Sequence, residues 1–408
     1  MSMNIHELER GGVTSPNGFE AGSAMAGVKT AGRYDLTIVH SPTPASAAAV
    51  FTTNVVKAAP VTLSQANLAG SGGLGRAVVF NSGCANACTG VQGMEDAKAM
   101  AHAVAAALGC SDQEVLVAST GTIGAYMPMD RILAGVDGAA GAMDPEGGAT
   151  AAQAIMTTDT VSKEVAVEID VAGFKVTLGA MAKGSGMIHP NMATMLAMVT
   201  TDCAIEPALL REALAEACDA PLNMVTVDGD TSTNDSLFAF ANGQAGNPVL
   251  KDVGDEGYAA FAEGLVYVCG QLARKIAKDG EGATKFFEMV VEGAKTRKDA
   301  RLAARSVAGS SLVKAAIYGK DANWGRILCA MGYSGADFDP DIVDLFLGDI
   351  QMMEQGRALL FDEEKALAYL DNAEIQILAQ LHQGAVTAVA WGCDLTHDYV
   401  TINGSYRT

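Results

Sequence analysis

The sequence feature that most constrains the fold is a β-hairpin that leads directly into a glycine-rich segment. Hydrophobic side chains alternate over residues 165–171, a two-residue Ala-Gly turn follows, and the alternation resumes over residues 174–178. A period of two on both sides of a short turn predicts paired antiparallel strands. The second strand ends at the sequence Lys183-Gly-Ser-Gly. The glycine-rich segment therefore begins at a rigid element, which is a favourable place for a functional site.

Strand and helix patterns alternate along most of the chain, which predicts a mixed α/β fold. Runs of hydrophobic, partly β-branched residues predict strands at residues 34–40, 76–80, 114–118, 224–227 and 287–291. A periodicity of about 3.6 residues predicts helices at residues 94–108, 207–218, 258–276 and 306–318. A chain of 408 residues is too long for one ordinary core. We therefore predict two domains, residues 1–205 and 206–408.

Charge and composition exclude several classes of partner. Acidic residues outnumber basic ones by 47 to 27, and the net charge of −20 repels phosphate groups. We therefore expect neither nucleic acid nor an anionic membrane as a partner. The eight cysteines lack the spacing of a zinc site, and no hydrophobic run reaches the ~20 residues of a membrane span. Because the first residues show no signal-peptide pattern, we expect a cytoplasmic protein with reduced thiols.

The segment after the hairpin contains three candidate catalytic side chains. The glycines around Ser185 are too short a match to identify a hydrolase nucleophile. His189 is a candidate base, but a lone histidine in an apolar stretch more often has a packing or capping role. Thr194 has another route to activation, because cutting the preceding peptide bond frees its α-amine, whose pKa is about 8. That amine can take the hydroxyl proton. The residues alone leave this reading open against that of a buried, structural threonine.

A second polar cluster, Asp228-Gly-Asp-Thr-Ser-Thr-Asn-Asp235, follows a predicted strand. Its closely spaced carboxylates suggest a calcium site. The spacing lacks the bidentate glutamate that occupies the twelfth position of an EF-hand loop. We therefore expect no metal at this cluster.

The sequence around Thr194 also resembles that of a known family. The stretch Lys183-Gly-Ser-Gly-Met-Ile-His-Pro-Asn-Met-Ala-Thr-Met-Leu-Ala is similar to the central motif of the ornithine acetyltransferases of arginine biosynthesis, also called glutamate N-acetyltransferases. Further motifs of that family are Pro16-Asn-Gly-Phe19, Phe51-Thr-Thr-Asn54, Ala58-Ala-Pro-Val61, Asn81-Ser-Gly, Ser119-Thr-Gly121, Asp279-Gly-Glu-Gly-Ala-Thr-Lys285 and Asp321-Ala-Asn-Trp-Gly-Arg326. The resemblance covers nearly the whole chain, and the combination of motifs is highly specific.

The resemblance implies a self-cleaving enzyme. The precursor is expected to cut itself between Ala193 and Thr194, giving an α chain of residues 1–193 and a β chain of residues 194–408. Thr194 then takes the acetyl group of N2-acetylornithine as a threonyl ester and passes it to glutamate. The expected products are ornithine and N-acetylglutamate.

The resemblance also implies which residues form the site. An oxyanion hole is expected at Thr120 and Gly121, where a predicted strand ends in a small turn. Besides Thr194, the implied substrate contacts are Thr157, Lys183, Glu281, Asn403 and Thr408. The Lys183 ammonium suits the α-carboxylate that both substrates carry. The Glu281 carboxylate or the terminal carboxylate of Thr408 suits the side-chain ammonium of ornithine.

The family further implies a two-domain sandwich of β-sheets flanked by helices, with the site between the domains and an α2β2 assembly. No cofactor is implied, and the sequence leaves open whether acetyl-CoA also serves as an acetyl donor. Two departures from the family pattern are Cys84, where asparagine is usual, and Gly404-Ser405, where an acidic residue is more frequent. We expect these departures to affect hydrogen bonds around the site and not the nucleophile.

Two other functions are weighed against acetyl transfer. A self-cleaving N-terminal-nucleophile amidohydrolase or aminopeptidase shares the nucleophile but passes the acyl group to water. A non-enzymatic scaffold keeps Thr194 buried and uncut. Product analysis with and without glutamate distinguishes the first alternative, and a denaturing gel distinguishes the second.

Overall fold

The computed structural model describes residues 5–29, 32–189 and 195–405, which form two β-sheets with helices packed against them. Within these ranges the strands are β1 (His6–Glu7), β2 (Glu20–Ala24), β3 (Leu36–Phe51), β4 (Leu74–Cys84), β5 (Val115–Thr122), β6 (Lys163–Val171), β7 (Phe174–Lys183), β8 (Leu196–Thr201), β9 (Val225–Thr226), β10 (Ser236–Ala241), β11 (Phe286–Ala294), β12 (Asp344–Leu347), β13 (Ile350–Glu354), β14 (Arg357–Ala358), β15 (Glu374–Gln380) and β16 (Val386–Cys393). The helices are α1 (Ala59–Gly70), α2 (Gly90–Leu108), α3 (Met129–Ala140), α4 (Gly148–Ala154), α5 (Pro207–Asp219), α6 (Tyr258–Lys278), α7 (Arg297–Gly309), α8 (Ser311–Tyr318), α9 (Trp324–Gly332), α10 (Glu363–Leu370) and α11 (His397–Ser405). The mixed α/β fold expected from the sequence is confirmed.

The first sheet contains the predicted hairpin. Its strand order is β1-β6-β7-β8-β10-β3-β4-β5, with β2 paired to β3. Strands β6 and β7 pair antiparallel with Val171 opposite Phe174, which confirms the prediction. The turn residues Ala172 and Gly173 have φ values of 55° and 83°, as a two-residue hairpin turn requires. Strand β8 lies antiparallel to β7 and parallel to β10, so the ends of several strands meet at one edge.

The second sheet has the order β14-β13-β12-β15-β11-β16-β9. Helices α7 to α10 cover it, and its core is rich in alanine and methionine side chains. Strand β10 follows residue 205 in sequence and belongs to the first sheet. The division into domains at residue 205 stays a prediction.

Helix α6 joins the two sheets. It contacts β6 and β7 of the first sheet and β9 and β16 of the second. The residues that define its predicted periodicity are all buried, namely Phe261, Leu265, Val268, Leu272 and Ile276. Full burial of such side chains contributes roughly 1.5–3 kcal/mol each, so the packing of α6 fixes one sheet against the other. Within the described ranges, no helix combines the length and hydrophobicity needed to cross a bilayer.

Candidate active site

A cavity of about 370 Å³ lies where β5 and β7 end, beside the polar turn that precedes β10 and beneath α11. Six residues that the sequence predicted for the site line this cavity. They are Thr120, Gly121, Thr157, Lys183, Glu281 and Asn403. These residues are spread over almost 300 positions of sequence, and the fold brings them to one place.

The other three predicted site residues, Ala193, Thr194 and Thr408, lie outside the described residues. The described residues on either side of the first two are informative, because Ile188 and Met195 both line the cavity. The chain therefore borders the cavity on both sides of the predicted cleavage point.

The predicted oxyanion turn lies at the end of β5. Gly121 has a φ of 129°, and a Cβ at this position would lie 2.3 Å from the carbonyl carbon of Gly83. Only glycine fits both this backbone conformation and this close approach of β4 to β5. The Nζ atom of Lys183 lies 3.4 Å from Oγ1 of Thr120. The turn therefore presents its backbone beside a positive charge, which suits stabilisation of a developing oxyanion.

Lys183 belongs to a buried network of charges. The Lys163 ammonium donates to the carboxylates of Asp159 at 2.7 Å and Asp279 at 2.5 Å. Asp159 also accepts the backbone N–H groups of Gly184 and Thr157, at 2.7 and 3.0 Å. Burial alone would raise the pKa of Asp159, but the ammonium groups of Lys183 and Lys163 lower it to about 2. The ionised Asp159 carboxylate thus lies close to the Lys183 charge and binds the backbone at Thr157 and Gly184. Thr157 and Lys183 are both predicted substrate contacts.

Burial lowers the pKa of Lys183, and the Asp159 carboxylate opposes that effect. The side chain is only 8% exposed. A lysine in this setting is the natural partner of a small carboxylate that enters the cavity, because its ammonium group has little water around it.

Glu281 reaches the cavity because Gly186 has no side chain. A Cβ at Gly186 would lie 2.3 Å from the Glu281 carboxyl carbon. The backbone N–H of Glu281 donates to the Ser185 carbonyl at 2.9 Å. One carboxylate oxygen of Glu281 accepts a hydrogen bond from Nδ2 of Asn403 at 2.7 Å. Asn403 lies on α11, so the last helix contributes directly to the cavity wall.

The two other candidate side chains of the central segment have structural partners. Ser185 is buried and its Oγ donates to the backbone carbonyl of Asp279 at 2.6 Å. Nδ1 of His189 lies 3.0 Å from Oγ1 of Thr226, and the His189 carbonyl accepts a hydrogen bond from Oγ1 of Thr231 at 2.8 Å. Burial, together with the charge of Arg305, lowers the pKa of His189 to about 4. The Ser185 side chain thus binds the backbone at Asp279, and the His189 ring binds the Thr226 side chain.

Sequence reasoning missed the roles of three cavity residues, Asp228, Asp235 and Tyr399. The Asp228 carboxylate accepts the backbone N–H groups of Met187 at 2.6 Å and Ile188 at 2.9 Å. Burial of the Tyr399 side chain and the adjacent Asp228 carboxylate raise the pKa of that tyrosine. The clustering of acids at residues 228–235 was a usable signal, although it pointed first to calcium. Among the described residues, no group of side chains has the composition of a metal site.

The two departures from the family pattern lie at the edge of the site. Cys84 is buried, stands opposite Thr120 and Thr122 in the pairing of β4 with β5, and directs its thiol to the Ala125 carbonyl at 3.3 Å. Gly404 and Ser405 are exposed at the end of α11. In this structure, the Cys84 thiol contributes one hydrogen bond behind the predicted oxyanion turn.

Comparison with known proteins places this chain in a family. The ArgJ family model matches residues 20–408. The arginine biosynthesis bifunctional protein ArgJ of Symbiobacterium thermophilum is 58% identical over 98% of this chain and 99% of its own length. The protein of the same name from Caldanaerobacter subterraneus is 50% identical over 98% and 100%.

A crystal structure of the arginine biosynthesis bifunctional protein from Bacillus halodurans is also similar. It is 46% identical and aligns with a TM-score of 0.50. The alignment covers 98% of that solved chain but 51% of the present one. The solved polypeptide therefore corresponds to about half of this chain.

Proposed function

The chain belongs to the ArgJ family, and we propose that it transfers the acetyl group of N2-acetylornithine to glutamate in arginine biosynthesis. The observation that carries this proposal is the cavity itself. It brings the Thr120-Gly121 turn, the Lys183 ammonium and the Glu281 carboxylate together beside Met195, the residue that follows Thr194. Acyl transfer needs this set of groups around a nucleophile, namely an oxyanion site and opposite charges for the substrate ends.

Thr194 is the proposed nucleophile, after the precursor cuts itself between Ala193 and Thr194. Two observations support this proposal. The chain borders the cavity at Ile188 and Met195, on both sides of the proposed cut. Almost the whole solved polypeptide from Bacillus halodurans aligns with about half of this chain. This relation is expected if relatives are divided into two polypeptides.

In the first half-reaction, the α-amine of Thr194 takes the proton of its own Oγ as that oxygen attacks the acetyl carbonyl carbon. Negative charge develops on the carbonyl oxygen beside Thr120 and Gly121, and one well-placed donor there stabilises it by roughly 3 kcal/mol. The amide bond breaks, the amine returns the proton to the departing nitrogen of ornithine, and an acetyl-threonyl ester remains. The α-amine of glutamate then attacks the ester by the same steps in reverse.

The charges of the cavity suit the two substrates. Lys183 is the proposed partner of the α-carboxylate that acetylornithine and glutamate share. The Asp159 carboxylate is near the Lys183 charge and accepts the backbone N–H of Thr157, so it links these two proposed contacts. Glu281 is the proposed partner of the ornithine side-chain ammonium, because its carboxylate is nearly buried and can form a charge-assisted hydrogen bond. Asn403 holds that carboxylate in place.

Acetyl transfer is favoured over hydrolysis and over a scaffold role, since the curated relatives carry the name of a biosynthetic bifunctional protein. Use of acetyl-CoA as a second donor, an α2β2 assembly of the two products and a cytoplasmic location are part of the proposal. The proposed site needs no cofactor.

The test is mass spectrometry of the purified protein. We expect fragments of 193 and 215 residues, and a gain of one acetyl group on the fragment beginning at Thr194 after incubation with acetylornithine. Adding glutamate should remove that group and yield N-acetylglutamate, with acetyl-CoA supplied as donor in a parallel reaction. Release of acetate at the same rate without glutamate would favour the hydrolase instead.

A further inference from the structure

The Asp228 carboxylate forms an unusual clamp on the segment that leads to the predicted cleavage point. It accepts the backbone N–H groups of two successive residues, Met187 and Ile188, at 2.6 and 2.9 Å. Met187 has a φ of 53°, a left-handed conformation that costs a side-chain-bearing residue free energy. Two hydrogen bonds to one carboxylate offset such strain, because bonds to a charged acceptor are stronger than neutral ones.

The same segment is held by further bonds to β9 and to the residues that follow it. The Ile188 carbonyl accepts the Val227 N–H at 2.7 Å and the Thr226 hydroxyl at 3.1 Å. The His189 carbonyl accepts the Thr231 hydroxyl at 2.8 Å. The backbone is therefore fixed as far as residue 189.

The chain is fixed again immediately after the proposed cut. The Met195 carbonyl accepts the backbone N–H of Ser236 at 2.9 Å, where β10 pairs with β8. Five residues, 190–194, thus connect two anchored points.

We propose that Asp228 is a positioning residue for self-cleavage, because its carboxylate holds Met187 and Ile188, the described residues that lead toward the proposed cut. This inference rests on the proposed function. In that reaction, Oγ of Thr194 attacks the Ala193 carbonyl carbon, the C–N bond breaks and the freed amine takes the hydroxyl proton. Water then hydrolyses the ester, giving the Ala193 carboxylate and a free Thr194 hydroxyl.

Asp228 takes no part in bond making. It acts by position, and a misplacement of about 1 Å can slow an intramolecular reaction a hundredfold. The clamp also crosses the cut, since Asp228 belongs to the second product and Met187 and Ile188 to the first. After cleavage it would keep Met187 and Ile188 of the first product in the cavity wall.

The experiment follows self-cleavage of the full chain over time in cell-free synthesis, on denaturing gels. We expect Asp228→Ala to slow cleavage at least tenfold. Asp228→Asn should be intermediate, because its amide oxygen can still accept one of the two hydrogen bonds. The matched control is Asp255→Ala, since the Asp255 carboxylate also accepts two backbone N–H groups, from Lys251 and Asp252, in a loop that does not line the cavity. Cleavage of the control should keep the wild-type rate.

Folding is measured separately, on uncut chains that carry Thr194→Ala. Cleavage of Asp228→Ala at the wild-type rate would overturn the proposal. Equal slowing of cleavage by Asp255→Ala would also overturn it. The same holds if the cleavage rates of the variants fall only in proportion to their unfolding temperatures. A wild-type chain that stays in one piece would instead refute the proposed nucleophile, so the two failures are distinguishable.

Discussion

Replacing Lys163 by methionine tests the buried charge network behind the site. Lys163 is fully buried and is hydrogen-bonded to two carboxylates, Asp159 and Asp279, of which the first is also fully buried. Methionine fills a similar volume but removes the only charge that contacts both carboxylates at hydrogen-bond distance among the described residues. The free energy of unfolding of the variant should therefore fall by the cost of leaving buried negative charge without its partner in a low-dielectric interior.

The magnitude follows from the ordinary aspartate pKa of 3.8. Protonating one such carboxyl at pH 7 costs about 4 kcal/mol, which bounds the loss for each stranded group. Asp159 retains the nearby Lys183 charge and two backbone donors, and Asp279 retains the Thr160 backbone N–H. We therefore expect Lys163→Met to lower the free energy of unfolding by about 3–5 kcal/mol in total.

The assay is reversible urea unfolding of chains that carry Thr194→Ala, so that a single polypeptide unfolds. The matched control is Lys98→Met, whose ion pair with Glu95 has side chains 55% and 60% exposed and should contribute less than about 1 kcal/mol. Adding Asp279→Asn to Lys163→Met should recover part of the loss. A loss below about 1 kcal/mol, or strict additivity of the two substitutions, would refute the reasoning.

The pH dependence of the free energy of unfolding provides a second test of this charge network. The folded-state pKa of Asp159 is lowered to about 2, so its contribution to stability is present above pH 3.8 and is lost as pH falls toward 2. The difference between wild type and Lys163→Met should therefore shrink over that range. A difference that is constant down to pH 2.5 would contradict an electrostatic origin.

Three further predictions concern single residues. Gly186→Ala places a Cβ 2.3 Å from the Glu281 carboxyl carbon, so the KM for acetylornithine should rise about tenfold. Gly332→Ala, where no atom lies within 4 Å of the added Cβ, should not change it. Glu281→Gln removes a charge-assisted bond worth about 1.5–3 kcal/mol and should weaken acetylornithine binding 10- to 100-fold; unchanged acetylornithine kinetics would contradict this role. The pKa of His189 is lowered from 6.5 to about 4, so its contribution to stability is complete above pH 6.5 and is lost as pH falls through 4. Allowing for partial exposure, His189→Asn should remove roughly 2 kcal/mol of that acid dependence in urea unfolding, and equal pH profiles for both proteins would refute the assignment.

Local sequence patterns predicted the elements whose side-chain periodicity agrees with their packing. The hairpin of β6 and β7 is one example, and α6, predicted from residue 258 to 276 and observed as Tyr258–Lys278, is another. In α6 the buried residues recur with the helical period, and in β6 buried and partly exposed positions alternate from Val167 onward. Strand β7 is instead buried on both faces from Val176 to Lys183. The end of the helix predicted over residues 94–108 is likewise confirmed, because α2 ends at Leu108 and Gly109 follows with a φ of 66°.

Two other boundaries were predicted wrongly, one at a local helix cap and one in a strand whose partner is distant in sequence. The single helix predicted over residues 306–318 was wrong, since Ser310 separates α7 from α8 and its Oγ caps α8 by accepting the Val313 N–H. The strand predicted to end at residue 40 continues to Phe51 as β3, past an irregularity that its pairing with β4 accommodates. The break has a local signal, Gly309 followed by the capping residue Ser310, which the hydrophobic pattern around it concealed. The continuation of the strand depends on its pairing with β4 and has no such signal.

The site shows the same limit. The resemblance to a family placed six residues that the structure brings to one cavity. The contacts that hold them were not predictable, because Lys163 and Asp279 are 116 residues apart and Asp228 is about 40 residues from the backbone it binds. Sequence spacing carries no information about such long-range pairs of charged and polar groups.

The strand order of the first sheet has a consequence for the life of the protein after the proposed cut. Strands β8 and β10 come from the second product, and they lie between β7 and β3 of the first product. The two products would thus be hydrogen-bonded to each other through two strand pairs, β7 with β8 and β10 with β3. Neither product could dissociate without breaking both pairs. Folding must precede cutting, and once the cut is made, recovery from unfolding becomes a bimolecular encounter that dilution disfavours. We therefore expect the cleaved protein to be kept folded by a slow rate of unfolding, because it cannot readily refold once its two chains have separated.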